Sequence, residues 1–194
     1  MNIYACGTGI TPPTCYNAGS QSDGTFRIAV PTGTYVLSFV DYGMSVLPGY
    51  WSSRGLVATP ARATKIDVTA ADVSTVSAST GPIGIGAHAG TARTGTFSTK
   101  LVSVRHGSPV TMRFAFGKGF AGVKVSIWTA VAGSTGKLGS FRRTTSSVVR
   151  SDGCVFYTVP VKVLMAFRAQ YVPPAGNYWG TLPVTSASVK AKGS

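Results

Sequence analysis

The sequence contains no glutamate, and its five acids are all aspartate (Asp23, Asp41, Asp67, Asp72, Asp152), set against 18 lysines and arginines. Without Glu the commonest ion pairs of helix surfaces cannot form. So few carboxylates, most of them at turns or strand edges, argue against the paired acids of glycoside cleavage. Histidine is almost as scarce, with only His88 and His106. Nucleophilic catalysis needs a base held against a Ser or Cys and oriented by an acid. His88 lies in a Gly/Ala/Thr-rich stretch and His106 beside a glycine, so both read as turn residues. Neither stands at ligand spacing from Cys6, Cys15 or Cys154, which disfavours zinc. The expectation is a protein that is not an enzyme and has neither metal nor cofactor. No apolar run approaches the roughly 18 residues of a spanning helix. The start, MNIYACGTGI, lacks the basic and apolar regions of a secretion signal, so any export signal would lie upstream. Helical periodicity nowhere exceeds one or two turns.

What is present suits short strands and turns: 24 glycines, 11 prolines and 44% hydrophobic residues, with Ser, Thr and Val abundant. The charge is divided unevenly. Residues 1–80 balance Arg27, Arg54, Arg62 and Lys65 against four aspartates, whereas residues 81–194 hold Asp152 alone and carry the whole net charge of +13. That asymmetry argues for two units with different surfaces.

One phrase occurs twice, SDGTFRIAVP at 22–31 and SDGCVFYTVP at 151–160. In each, Asp-Gly is a turn signal, alternating apolar residues follow (Phe26, Ile28, Val30; Val155, Tyr157, Val159), and Pro ends the strand. TYVLSFVD and VLMAFRAQYV then read as returning strands, so both copies are expected to be hairpins. Further strands are expected in NIYAC, ATKIDVTA, DVSTVSAS, TKLVSVR, SPVTMRFAF, VKVSIWTAV, LGSFRRTTSSVV and LPVTSASVKA. The fold class expected is all-β, two tandem antiparallel β-sandwiches: residues 1–80, a Gly/Ala/Thr-rich linker at 81–95, and a basic unit at 96–194. The linker matches a loose dinucleotide pattern at Gly84, Gly86 and Ala89. No helix follows it and no acid lies near twenty positions on, so that reading is set aside. Cys6 and Cys15 flank GTGITPPT, a turn-like spacer that permits a hairpin disulfide, and Cys154 reads as a small buried residue.

The Asp23-Gly24-x-Phe26 turn and strand, the Pro31-x-Gly33-Thr34-Tyr35 turn and the Ile66-Asp67-Val68 strand resemble carboxypeptidase-regulatory-like, transthyretin-like sandwich domains, and also the B-type repeats of bacterial adhesins. STKLVSVRHGSPVTMRFAF, GVKVSIWTA, SDGCVFYTV and the FRAQYVPPAGNYWG…LPVTSASVK ending resemble bacterial Ig-like repeats. These resemblances imply an extracellular or cell-surface scaffold without catalysis, partnered by further copies or by neighbouring domains of a larger surface protein. In the first family a strand and turn normally precede the segment matching NIYAC. Its absence here implies either a fragment or a strand supplied from elsewhere, for instance by the C-terminal SASVKAKGS of another copy.

Two sets of residues are candidates for binding. Lys137, Arg142, Arg143 and Arg150 cluster in a half rich in positive charge, which attracts polyanions. An anionic polysaccharide or cell-wall polymer suits the extracellular setting. Nucleic acid is disfavoured, because no recognised module is present and the basic residues are not interleaved with stacking aromatics. Trp51 and Trp179 sit in loops beside glycine, as glycan or partner contacts. Trp128, inside VKVSIWTAV, is expected in the core.

Overall fold

The computed structural model of the chain describes residues 1–9, 13–69, 76–174 and 183–194. It is essentially all-β and divides into two compact units at Gly81–Pro82. The second unit therefore starts at residue 82 rather than 96. Pro173 and Pro174 group with the first unit before the second resumes at Pro183.

Among the described residues the first unit holds one antiparallel sheet. Its strands are β1 (Asn2–Gly7), β2 (Cys15–Gly19), β3 (Gly33–Val40), β4 (Gly49–Tyr50) and β5 (Ile66–Val68). Their order is β2-β1-β3-β4, with β5 also on β3. Every residue of β3 from Tyr35 to Val40 is buried, because both sheet faces are covered. Ile3, Ala5, Tyr35, Leu37 and Phe39 pack on one face. Cys6, Val36, Val40 and Tyr50 pack together as a second cluster with Tyr4, Val57 and Ala63. Tyr50 is fully buried. The strands CYNAG and Gly49–Tyr50 escape a periodicity reading, being short and carrying few β-branched residues.

The repeated phrase builds the same turn twice. Asp23 Oδ1 accepts from the Thr25 amide at 2.9 Å, and Asp152 Oδ1 from the Cys154 amide at 2.9 Å. Gly24 N–H donates to Gln21 O, and Gln21 N–H to Thr25 O; Gly153 N–H donates to Arg150 O, and Arg150 N–H to Cys154 O. The aspartate side chain mimics one backbone turn while glycine takes the left-handed φ, +85° at Gly24 and +81° at Gly153.

Beyond the turn, neither copy is a hairpin. In the second copy β11 (Cys154–Pro160) pairs with β8 (Pro109–Ala115), whereas β12 (Met165–Tyr171) lies in another sheet. Val-Pro thus ends a strand where the chain arches between layers. The first copy also arches, with Tyr35 Oη donating to Pro31 O. Residues 25–31, however, pair in no sheet among the described residues, although their burial alternates as in a strand. Phe26, Ile28 and Val30 still face the core, and Phe26 meets Phe39 edge-on at 5.9 Å. Local alternation specified the faces; pairing needs a neighbour that local sequence does not encode.

Two carboxylates tie this unit to pH. Asp23 lies below the ordinary aspartate value of 3.8, held there first by the Thr25 amide and then by the Thr25 hydroxyl. Asp41 is lowered chiefly by the Ser45 hydroxyl and amide, with further help from Gly43 N–H. The unfolded chain binds protons more readily than these folded carboxylates. Their stabilisation is complete above the ordinary value and lost as pH falls through the lowered ones. Acid should therefore lower the first unit's melting midpoint, and Asp41→Asn should flatten that response. Melts between about pH 7 and about pH 2.5 check it; an unchanged or rising midpoint contradicts it.

The second unit is a sandwich. Its three-stranded sheet runs β11-β8-β6, where β6 is Gly84–Ala89. The residues expected as linker are thus partly an edge strand. The small side chains have a packing reason: a Cβ on Gly86 would lie 2.7 Å from Phe97 Cβ, so glycine lets Phe97 cross the strand. The larger sheet runs β10-β9-β12-β14-β7, with β13 on β12. These strands are β7 (Val102–Val104), β9 (Lys124–Val131), β10 (Arg142–Val148), β13 (Val184–Thr185) and β14 (Val189–Gly193). β14 and β7 pair in parallel, so this sheet is mixed rather than purely antiparallel. Met112, Phe114 and Val155 face Ile127, Phe167, Ala169 and Tyr171, all nearly or fully buried. Each such large side chain contributes about 1.5–3 kcal/mol. Burial pushes the Tyr171 hydroxyl up to about 12. The C-terminal tail, expected as a donor strand, is spoken for: Val189 and Ala191 are buried in β14 between β12 and β7.

Candidate binding surfaces

In the first unit, residues 25–31 and 76–80 lie over the sheet face bearing Ile3, Ala5, Tyr35, Leu37 and Phe39, where a groove of about 1080 Å³ opens. Both segments alternate between half-buried and exposed residues, and neither belongs to a sheet among the described residues. Val76 and Ala78 join Phe26, Ile28 and Val30 against the core.

In the second unit the outward face of the six-stranded sheet is basic. Strand alternation sends Val125 and Ile127 inward and Lys124, Ser126 and Trp128 outward. Register places Arg143 of β10 and Arg168 of β12 on either side of Trp128. Arg168 Cζ lies 5.6 Å from the Trp128 ring centroid and 4.2 Å from that of Phe141. Lys190 follows opposite Ala166, and Lys192 continues the same face of β14. Trp128 is therefore not a core residue. Its ring lies on the outer face, under a guanidinium.

The sequence cluster does not come together. Lys137 occupies the turn between β9 and β10, and Arg142 alternates away from Arg143 along β10. Arg150 lies 3.8 Å from Asp152 and 5.7 Å from the Phe156 ring centroid, on the three-stranded sheet. Of the four, Arg143 alone joins the basic face. Arg168, Lys190 and Lys192 were missed because they are distant in sequence, although VKAKG alternates visibly. On the smaller sheet Arg113 lies over Phe97 at 5.9 Å, and its Nε donates to Cys154 Sγ at 3.3 Å, so the buried Cys154 is hydrogen-bonded.

Trp51 is half-buried against the first core, and its Nε1 donates to Ser77 O at 2.9 Å. Trp179 lies outside the described residues, as do residues 72–75 of the strand expected at 72–79. Cys6 and Cys15, directly opposed on β1 and β2, form a disulfide. His88 points outward from β6 against Phe97, its Nδ1 buried without a partner, and His106 is exposed at a turn. Among the described residues, no helix is long and apolar enough to cross a membrane. No family model, curated protein or solved structure matches the chain.

Proposed function

We propose that the chain is a non-catalytic structural or adhesive module of an extracellular surface or filament protein, transthyretin-like then Ig-like, whose copies associate by strand addition through the first unit. The observation that carries this reading is the unpaired layer over the groove, alternately half-buried and exposed. Residues 28–30 make no backbone hydrogen bond among the described residues, while their apolar side chains are already docked. An extended backbone with unpaired donors and acceptors is a template for another strand. The same segment of a second copy, running antiparallel, satisfies both partners at once across a two-fold axis. Charge does not oppose the pairing, since residues 1–80 are neutral and the second half carries the excess. The Cys6–Cys15 disulfide favours an oxidising, extracellular setting.

Ala29→Pro tests the pairing. Ala29 is exposed in a segment that pairs in no sheet among the described residues, and proline removes its N–H and blocks the edge. Light scattering at about 10–100 µM should show wild-type dimers or larger species and a monomeric variant with unchanged circular dichroism. A wild-type monomer, or a variant that associates equally well, refutes the proposal.

A further inference from the structure

We infer that the outward face of the six-stranded sheet is a docking surface for a linear anionic polysaccharide, read through Arg143, Arg168, Lys190 and Lys192. This goes beyond the scaffold reading and does not depend on it. The four cations form a diagonal stripe from β10 across β9 and β12 to β14. Strand spacing makes the stripe on the order of 15–20 Å long. Arg143, Lys190 and Lys192 are exposed, and among the described residues no carboxylate pairs with them. Lys124 extends the positive field along β9.

Arg168 is held differently from the others. Its guanidinium lies over both Trp128 and Phe141, and its Nε is buried without a hydrogen bond, so ring stacking fixes the charge. A cation oriented in advance loses little side-chain entropy when an anion binds. One row along from Arg143 and Arg168, on the side toward Lys124 and away from Lys190, the same face carries Ser126, Ser146, Gln170 and Thr185 at register positions. Neutral hydroxyl and amide groups among cations suit a sugar chain that alternates acidic and hydroxyl groups. Nucleobase stacking fits poorly, because a guanidinium already covers the Trp128 and Phe141 rings.

The test uses the full chain with heparin as a sulfated polysaccharide, single-stranded DNA as a polyanion of another class, and neutral dextran. Heparin binding should be salt-sensitive and stronger than DNA binding, with none to dextran. Lys190→Gln with Lys192→Gln should weaken heparin binding about thirtyfold at about 0.1 M salt, two surface charges at about 1 kcal/mol each against a polyanion. Lys118→Gln with Lys137→Gln removes equal charge from exposed positions off the stripe and should change it less than about twofold. Equal losses in the two variants reject this face while leaving a basic unit that binds polyanions. DNA binding stronger than heparin binding rejects the polysaccharide. No binding to either rejects polyanion recognition altogether, and the oligomer test above stands apart from all three results.

Discussion

Gly153→Ala should destabilise the second unit by about 3–4 kcal/mol, whereas Gly24→Ala, the same change in the other copy of the phrase, should cost the first unit about 1 kcal/mol. Both glycines have left-handed φ, so alanine meets the same local penalty of about 1–2 kcal/mol at either position. Their surroundings differ. A Cβ at Gly153 would lie 2.3 Å from Gly117 C and 2.6 Å from Lys118 N, both backbone atoms that no rotamer change can move. Phe116 N–H also donates to Gly153 O, tying the turn to that strand end. At Gly24 nothing lies within 4 Å. The added overlap accounts for a further roughly 1–3 kcal/mol at Gly153 alone. For a unit of this size the Gly153 variant should melt roughly 15 °C lower. Equal shifts in the two variants would mean that the turn's φ, not its packing, sets the cost.

That contrast marks how far the sequence can be read. The Asp-Gly turn, the inward faces of Phe26, Ile28 and Val30, and the strands around Phe114, Ile127 and Phe167 follow from turn chemistry and period-two alternation, which are local. What each segment pairs with is not local. TFRIAV has the pattern of a ladder strand but pairs in no sheet among the described residues, while GIGAHA looks like linker yet forms an edge strand because Phe97 needs glycine beneath it. The binding candidates divide in the same way. Lys137, Arg142, Arg143 and Arg150 are neighbours in sequence, but a strand sends successive side chains to opposite faces and a turn changes sheets. The stripe that does form joins residues 143, 168, 190 and 192 through three strand registers. Trp128 sits among apolar residues in sequence and still faces outward, since its parity matches Lys124 and Ser126 rather than Val125 and Ile127.

Reduction should have a second large effect, confined to the first unit. The disulfide joins residues 9 apart in sequence, directly opposed on β1 and β2. Closing a loop of about ten residues removes roughly 2.5–3 kcal/mol of unfolded-state entropy in the chain-entropy model. That is a large share of the stability of a small unit, which rarely exceeds a few kcal/mol. Among the described residues this one has a single sheet, with a groove open on one of its faces. Cys6 is fully buried but Cys15 is exposed, so a thiol reductant has a sulfur to attack without prior unfolding. Reductant, or Cys6→Ala with Cys15→Ala, should lower the first unit's midpoint by roughly 10–20 °C. The second unit should melt unchanged, since its Cys154 is a free thiol. Differential scanning calorimetry with and without reductant reads both transitions. A first transition that ignores reduction would show that the cross-link is not needed to hold β2 on the sheet. The unpaired layer would then have to be stabilised by its partner copy, and the midpoint should rise with protein concentration instead.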